Sequence, residues 1–193
     1  MVKLLVIRHG KTRWNLEKRI QGLQDIPLCA EGRAELHKCK IPPEFSSYQW
    51  ASSPLQRAAE TAKLLGAKDL ILEPALIEMD WGEWDGHRLS ELRAKYGDVM
   101  TAEEARGLHM QPHGGESPAD VVIRLRRWLT TLPRDTIAVT HKGVIRALKS
   151  LAYDWDMTDK SPVKFNWGAA HLFELDADAT PVPLQVNIRL KDG

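Results

Sequence analysis

Four short segments of this chain carry the residue types that phosphoryl chemistry uses. Arg8-His9-Gly10 directly follows the apolar run Val2-Lys3-Leu4-Leu5-Val6-Ile7. Ser53-Pro54-Leu55-Gln56-Arg57 opens a helical pattern, Glu78 lies in Leu76-Ile77-Glu78-Met79-Asp80, and Thr140-His141-Lys142-Gly143 forms a second strand-to-helix turn. Arg8 and Arg57 offer fork-like donors to phosphoryl oxygens. A neutral imidazole can attack phosphorus and form a phosphohistidine. Its other ring nitrogen then has to donate, and a backbone carbonyl is the expected acceptor. A second imidazole, if protonated, would stabilise charge on the equatorial oxygens. A carboxylic acid must protonate the leaving alkoxide and later deprotonate water, and Glu78 is the best placed candidate. Helix N-termini near Pro54 and Gly143 add backbone donors suited to an anion.

These residues need a scaffold that brings them together. Strand signals fall at 3–9, 47–52, 69–73 and 135–140, each followed by a loop and a helical pattern. Helices are expected over 31–40, 54–65, 89–96, 117–132 and 143–151. Two of them show a cap-and-proline start, Ser53-Pro54 and Ser117-Pro118. Segments 169–175 and 184–190 alternate as strands, with Thr180-Pro181-Val182-Pro183 as the break between them. The rhythm predicts an α/β fold, a three-layer α/β/α sandwich with a mostly parallel central sheet. In such sheets ligands bind beyond the carboxyl ends of the strands, which is where Arg8-His9, Arg57 and His141 fall. The long connection 85–116 is expected to act as a lid or binding element.

The 193 residues suit one domain, 1–193. With 27 Lys+Arg against 26 Asp+Glu the net charge is +1, which argues against nucleic acid or a polyacidic partner. No run approaches a membrane span and no leader pattern opens the chain. Cys29 and Cys39 are expected as free thiols in a reducing compartment. The expectation is a soluble, cytoplasmic protein, monomer or homodimer.

The ordered motifs resemble the histidine phosphatase superfamily, in its phosphoglycerate mutase-like branch. Six match in sequence order: Arg8-His9-Gly10, Thr12-x-x-Asn15, Ser53-Pro-Leu-x-Arg-Ala-x-x-Thr61, Glu78 before Gly82-x-Trp-x-Gly86, Gly114-Gly-Glu-Ser117, and His141-x-Gly-Val-Ile-Arg146. The resemblance implies that His9 is the phosphorylated nucleophile, that Arg8, Arg57 and His141 hold the phosphoryl group, and that Glu78 is the proton donor. It also implies that Asn15 and Gln21-Gly22 line the pocket, and that neither metal nor cofactor takes part. The expected substrate is a small-molecule phosphate ester.

Two departures from the family pattern bear on the activity. Lys142 stands where the family commonly has a small residue, and it is a candidate contact to the substrate phosphate. Phosphoglycerate mutases carry a longer insertion with an Arg-Arg pair for the substrate carboxylate. Here the 85–116 stretch has only isolated Arg88, Arg93 and Arg106, and Arg126-Arg127 lies on a later helix. The departures favour a phosphomonoesterase over a mutase. The complete set of catalytic residue types argues against a phosphate-recognising binding module, and a protein phosphohistidine phosphatase is the reading between them, which a compact chain with a short lid would suit. A zinc site built from His87, His109, His113 and His141 is the weaker reading of the histidines, because their spacing is irregular and no cysteine accompanies them.

Overall fold

The computed structural model describes residues 1–192; Gly193 lies outside the described residues. In chain order the elements are β1 (Lys3–Arg8), α1 (Arg13–Leu16), α2 (Ala30–Leu36), β2 (Cys39–Lys40), β3 (Gln49–Ser52), α3 (Gln56–Leu64), β4 (Leu70–Leu72), α4 (Leu89–Tyr96), α5 (Asp98–Glu104), α6 (Pro118–Leu129), β5 (Thr136–Thr140), α7 (Lys142–Tyr153), β6 (Ala170–Leu175), β7 (Pro181–Ile188) and β8 (Lys191–Asp192). The main sheet runs β4-β3-β5-β1-β6-β7. β4, β3, β5 and β1 are parallel, while β6 pairs antiparallel with β1 and β7 antiparallel with β6. β2 and β8 form a separate antiparallel pair.

The continuous apolar character of β1 follows from its place in the sheet. Side chains alternate faces along a strand. Leu4 and Val6 pack with Val121, Leu125 and Leu129 of α6 and with Val144, Ile145 and Leu148 of α7. Leu5 and Ile7 pack on the other face with Leu28, Leu36, Ala58, Ala62 and Leu65. A strand covered on both sides leaves no polar position in its buried centre, which explains the unbroken apolar stretch 4–7 between Lys3 and Arg8. The result is the α/β/α arrangement that the sequence rhythm implies.

Local signals place several helix starts. At α6, Ser117 Oγ accepts from Asp120 N (3.2 Å), the Asp120 carboxylate accepts from Ser117 N (2.8 Å), and Pro118 occupies the first turn. At α3 the Ser53-Pro54 reading is corrected. The helix begins at Gln56, and Leu55 at its N-cap makes no side-chain cap bond. The Ser53 hydroxyl is used elsewhere, as described below. The helix expected over 31–40 stops at Leu36, because Cys39 and Lys40 are drawn into pairing with β8.

The expected break at Pro181-Val182-Pro183 is also corrected: β7 runs straight through it. β7 is an edge strand, and two residues separated by one point their backbone nitrogens to the same side. Both prolines can therefore turn their missing donors away from β6. The 85–116 connection is structured. It carries α4 and α5, linked by Arg93–Glu104 (2.7 Å), around a small core of Trp84, Leu92 and Met100. Among the described residues no helix is long and apolar enough to cross a membrane.

Because Leu5 is fully buried in the central strand, Leu5→Ala is expected to cost about 2–5 kcal/mol of unfolding free energy. Denaturant unfolding measures this, and a loss below about 1 kcal/mol would contradict the two-faced burial of β1.

Candidate active site

The parallel ladder continues past the ends of the central strands. His9 N donates to Thr140 O (2.9 Å) and Ser53 N donates to Val139 O (3.0 Å). Three neighbouring segments, the ends of β3, β5 and β1, are thereby held side by side at the carboxyl edge. The rings of His9 and His141 lie 5.1 Å apart between centroids, tilted by 54°. Both residues are buried.

The hydrogen bonds constrain each ring. His9 Nδ1 lies 2.7 Å from the Gly10 carbonyl. A carbonyl oxygen only accepts, so Nδ1 carries the proton and Nε2 keeps its lone pair. His141 Nε2 lies 2.7 Å from Ser53 Oγ. That oxygen already accepts from Leu55 N (3.2 Å), so its own hydrogen is available to Nε2. With the hydroxyl donating to Nε2, the ring proton sits on Nδ1, a buried atom without a hydrogen-bond partner among the described residues.

Burial pushes the pKa of His9 well below the usual imidazole range, and the charges on Arg8 and Arg57 add to this. His141 is lowered in the same direction by burial, then by His9, Arg57 and Arg8. The protonated form of this second imidazole, left open by the sequence, is disfavoured in the free protein. Charging it would cost desolvation next to two guanidiniums. His141 can still present a neutral N–H donor.

Arg57 is completely buried at the start of α3. Its Nη1 donates to Gln24 O (2.8 Å) and its Nη2 to Gly22 O (2.9 Å). Asp85 fixes that loop from behind by accepting Gly22 N (2.9 Å) and Gln24 N (3.2 Å). The guanidinium is thus oriented by two carbonyls, and its buried Nε has no partner among the described residues. Arg8 Nε is likewise buried and unpartnered, with the guanidinium 5.7 Å from the Trp167 ring centre. Burial lowers the pKa of both arginines, opposed chiefly by the Glu78 carboxylate.

Glu78 is buried. Its oxygens accept from Met79 N (2.8 Å) and, across the turn after β5, from Gly143 N (3.1 Å). Burial raises its pKa above the ordinary carboxyl value despite those two amides and the charges of Arg57 and Arg8. A Cβ at Gly143 would stand 2.3 Å from Glu78 Oε1, so the carboxyl group requires glycine there. The stem of Glu78 is braced from α6. Arg124 donates to Ala75 O (2.5 Å) and Ile77 O (2.8 Å), and Glu116 accepts from Asp80 N (2.9 Å).

The structure therefore brings Arg8, His9, Arg57, Glu78 and His141 to one place. Gln21-Gly22 joins them through the Gly22 carbonyl on Arg57. Asn15 is tied to the same loop through Thr12, which bonds Asn15 Oδ1 (3.1 Å) and Gln21 Oε1 (2.8 Å). Lys142 is exposed, with Nζ 5.4 Å from the Trp167 ring centre. His87, His109 and His113 stand apart on exposed loops, and His113 faces Glu83 at 2.9 Å. Among the described residues no group of three His, Cys, Asp or Glu is placed to hold a metal ion. Sequence reading missed Ser53 as the partner of His141 and Asp85 as the brace of the Arg57 loop. A serine just past a strand end invites reading as a helix cap, and nothing local marks its longer-range bond.

The chain matches the histidine phosphatase superfamily (branch 1) over residues 4–186, and it belongs to that family. It is similar to the 2,3-bisphosphoglycerate-dependent phosphoglycerate mutase 2 of Gloeobacter violaceus, at 32% identity over 93% of this chain and 89% of the relative. It is also 34% identical to phosphoserine phosphatase 1 of Hydrogenobacter thermophilus, over 77% of this chain and 74% of that protein. The crystal structure of phosphoglycerate mutase from Thermus thermophilus superposes with a TM-score of 0.74 at 30% identity, covering 98% of this chain and 100% of that one. Members of the superfamily are phosphatases or mutases, and this chain is a phosphoryl-transfer enzyme.

With both imidazole pKa values lowered well below 6.5, the rings of His9 and His141 are expected to stay neutral at pH 6.5 in the free protein. An NMR titration of the two rings measures this. A midpoint at or above 6.5 for His9 would contradict the burial argument.

Proposed function

We propose that this protein is a metal-independent phosphomonoesterase that hydrolyses a small phosphorylated metabolite through a phosphohistidine on His9. One observation carries the reading. The Gly10 carbonyl holds the proton of His9 on Nδ1 at 2.7 Å, which leaves a neutral ring with Nε2 as a nucleophile beside buried cations. Arg8, Arg57 and the Nδ1–H of His141 supply donors to the phosphoryl oxygens, and Gln21-Gly22 and Asn15 shape the same loop. Placed in a buried site, these donors act on the charge that develops at phosphorus without first having to reorganise.

The reaction divides into two steps. In the first, Nε2 of His9 attacks phosphorus, the bond to the ester oxygen breaks, and Glu78 gives its proton to the leaving alkoxide. In the second, Glu78, now a carboxylate, takes a proton from water as the water oxygen attacks the phosphohistidine. The N–P bond breaks, phosphate leaves and Glu78 is protonated again. The raised pKa of Glu78 suits the first role, since the group must hold a proton before it can donate one.

Mutase activity is the second reading, because the Gloeobacter violaceus relative is named a phosphoglycerate mutase. The 85–116 connection supports the phosphatase instead. Its arginines are engaged in ion pairs, Arg88 with Glu91 (3.5 Å), Arg93 with Glu104 (2.7 Å) and Arg106 with Glu103 (2.9 Å), and so do not form a free pair for a carboxylate. With 3-phosphoglycerate and a bisphosphoglycerate primer, phosphate release without 2-phosphoglycerate formation is expected. Primer-dependent isomerisation would reverse the assignment.

Glu78→Gln tests the division of labour. Turnover of an alkyl phosphate is expected to fall by about 10²–10⁴. With 4-nitrophenyl phosphate, whose leaving group needs no proton, the same variant should give a fast burst of nitrophenolate and then slow turnover. Wild-type rates on the alkyl ester would exclude Glu78 as the proton donor.

A further inference from the structure

The first two turns of α7 carry a second group of cations that the two-step reaction leaves unused. Lys142 and Arg146 are four residues apart, so their side chains leave the helix on the same side. Lys142 Nζ lies 5.4 Å from the centre of the Trp167 ring, and Arg8 Cζ lies 5.7 Å from the same ring. Trp167 thus joins Lys142 to one of the phosphoryl arginines. Arg146 Cζ lies 5.5 Å from the Trp155 ring centre and its Nη2 lies 3.8 Å from Met157 Sδ. Neither Lys142 nor Arg146 forms an ion pair among the described residues.

The charges do not balance at this end of the site. Arg57 has Asp25 and Asp85 within electrostatic reach as well as Glu78. Among the described residues, Glu78 is the only acidic group that bears on Lys142 and Arg146. Loss of solvent lowers the pKa of the Lys142 ammonium, and repulsion from Arg8 and Arg146 lowers it further. Burial meanwhile raises the pKa of Glu78, which weakens even that counter-charge. A phosphoryl dianion held by Arg8 and Arg57 is matched by those two guanidiniums. Two positive charges then remain alongside, next to an aromatic face.

We propose that Lys142, beside Trp167, and Arg146, beside Trp155, form a second anion subsite that takes a carboxylate or phosphate group on the leaving portion of the substrate. The preferred substrate is then a phosphomonoester that bears a second anionic group. This inference rests on the phosphomonoesterase reading above. Charge-assisted contacts to two cations are worth enough to dominate the choice between an anionic and a neutral leaving group. The subsite also assigns Lys142 a contact with the leaving portion rather than with the transferred phosphoryl group.

Matched aryl esters test it, because a carboxylate and a carboxamide differ in charge at nearly constant shape. Phosphate release is measured with 3- and 4-carboxyphenyl phosphate, the corresponding carbamoylphenyl phosphates, and 1,4-phenylene bisphosphate. The wild-type protein is expected to favour one of the anionic esters by about tenfold or more in kcat/KM. Which of them is favoured distinguishes a carboxylate subsite from a phosphate subsite. Lys142→Gln and Arg146→Gln should each shrink that preference several-fold, and Lys142→Arg should retain most of it. Lys142 is exposed, so its variants remain informative if Arg146→Gln fails to fold. Equal efficiency on charged and neutral esters, or an equal loss on both in the variants, would overturn the subsite and leave the phosphatase reading standing. Failure of the wild-type protein to release phosphate from every ester, 4-nitrophenyl phosphate included, would overturn the phosphatase reading and the subsite with it.

Discussion

The site depends on the parallel register of β3, β5 and β1. Those ladders fix where each chain leaves the sheet, and two backbone bonds, Ser53 N to Val139 O and His9 N to Thr140 O, carry the register one residue beyond the strands. His9, Ser53 and His141 are far apart in sequence yet meet at one edge. Every later feature follows from that placement: the two facing imidazoles, the hydroxyl under His141, and the start of α3 that delivers Arg57. A slip of one residue in β1 would turn Leu5 and Ile7 to the wrong face of the sheet, so the hydrophobic layers enforce the register that the chemistry needs.

Within that frame, burial sets the protonation states. Desolvation disfavours charge on His9 and His141 and pushes the pKa of the Glu78 carboxyl above its ordinary value in the same pocket. Burying guanidiniums works against this arrangement, and the fold answers with oriented dipoles. Arg57 leans on the carbonyls of Gly22 and Gln24, whose amides in turn rest on Asp85. Glu78 is similarly steadied by the Gly143 amide, at a position where any side chain would collide with it. These buried side chains are thus held mainly by backbone groups.

Much of this was legible in the sequence. The unbroken apolar run of β1, the Ser117-Pro118 helix start and the placement of Arg8-His9 and His141 at strand ends all rest on local rules, and local rules suffice for them. The rest depended on distant partners. Ser53 reads as a helix cap but serves His141, a residue 88 positions away. Pro181 and Pro183 read as a break, but at the edge of a sheet their missing donors face away from β6. The protonation state of the second imidazole was open in the sequence. Only the three-dimensional neighbourhood shows burial, with His9, Arg57 and Arg8, pressing His141 toward neutrality. The pairing of Lys142 with Arg146 and the link of Lys142 to Arg8 through Trp167 depend on the folded neighbourhood, which the sequence reading of Lys142 alone does not reach.

The orientation of His9 by a single carbonyl has a direct chemical consequence, because it decides which ring nitrogen can bond to phosphorus. Alkaline rapid-quench trapping during turnover, followed by phosphorus and nitrogen NMR of the modified protein, locates that bond. Phosphate on Nε2 of His9 is the expected result. Phosphate on Nδ1 of His9, phosphate on His141, or turnover with no phosphohistidine at any time point would contradict it.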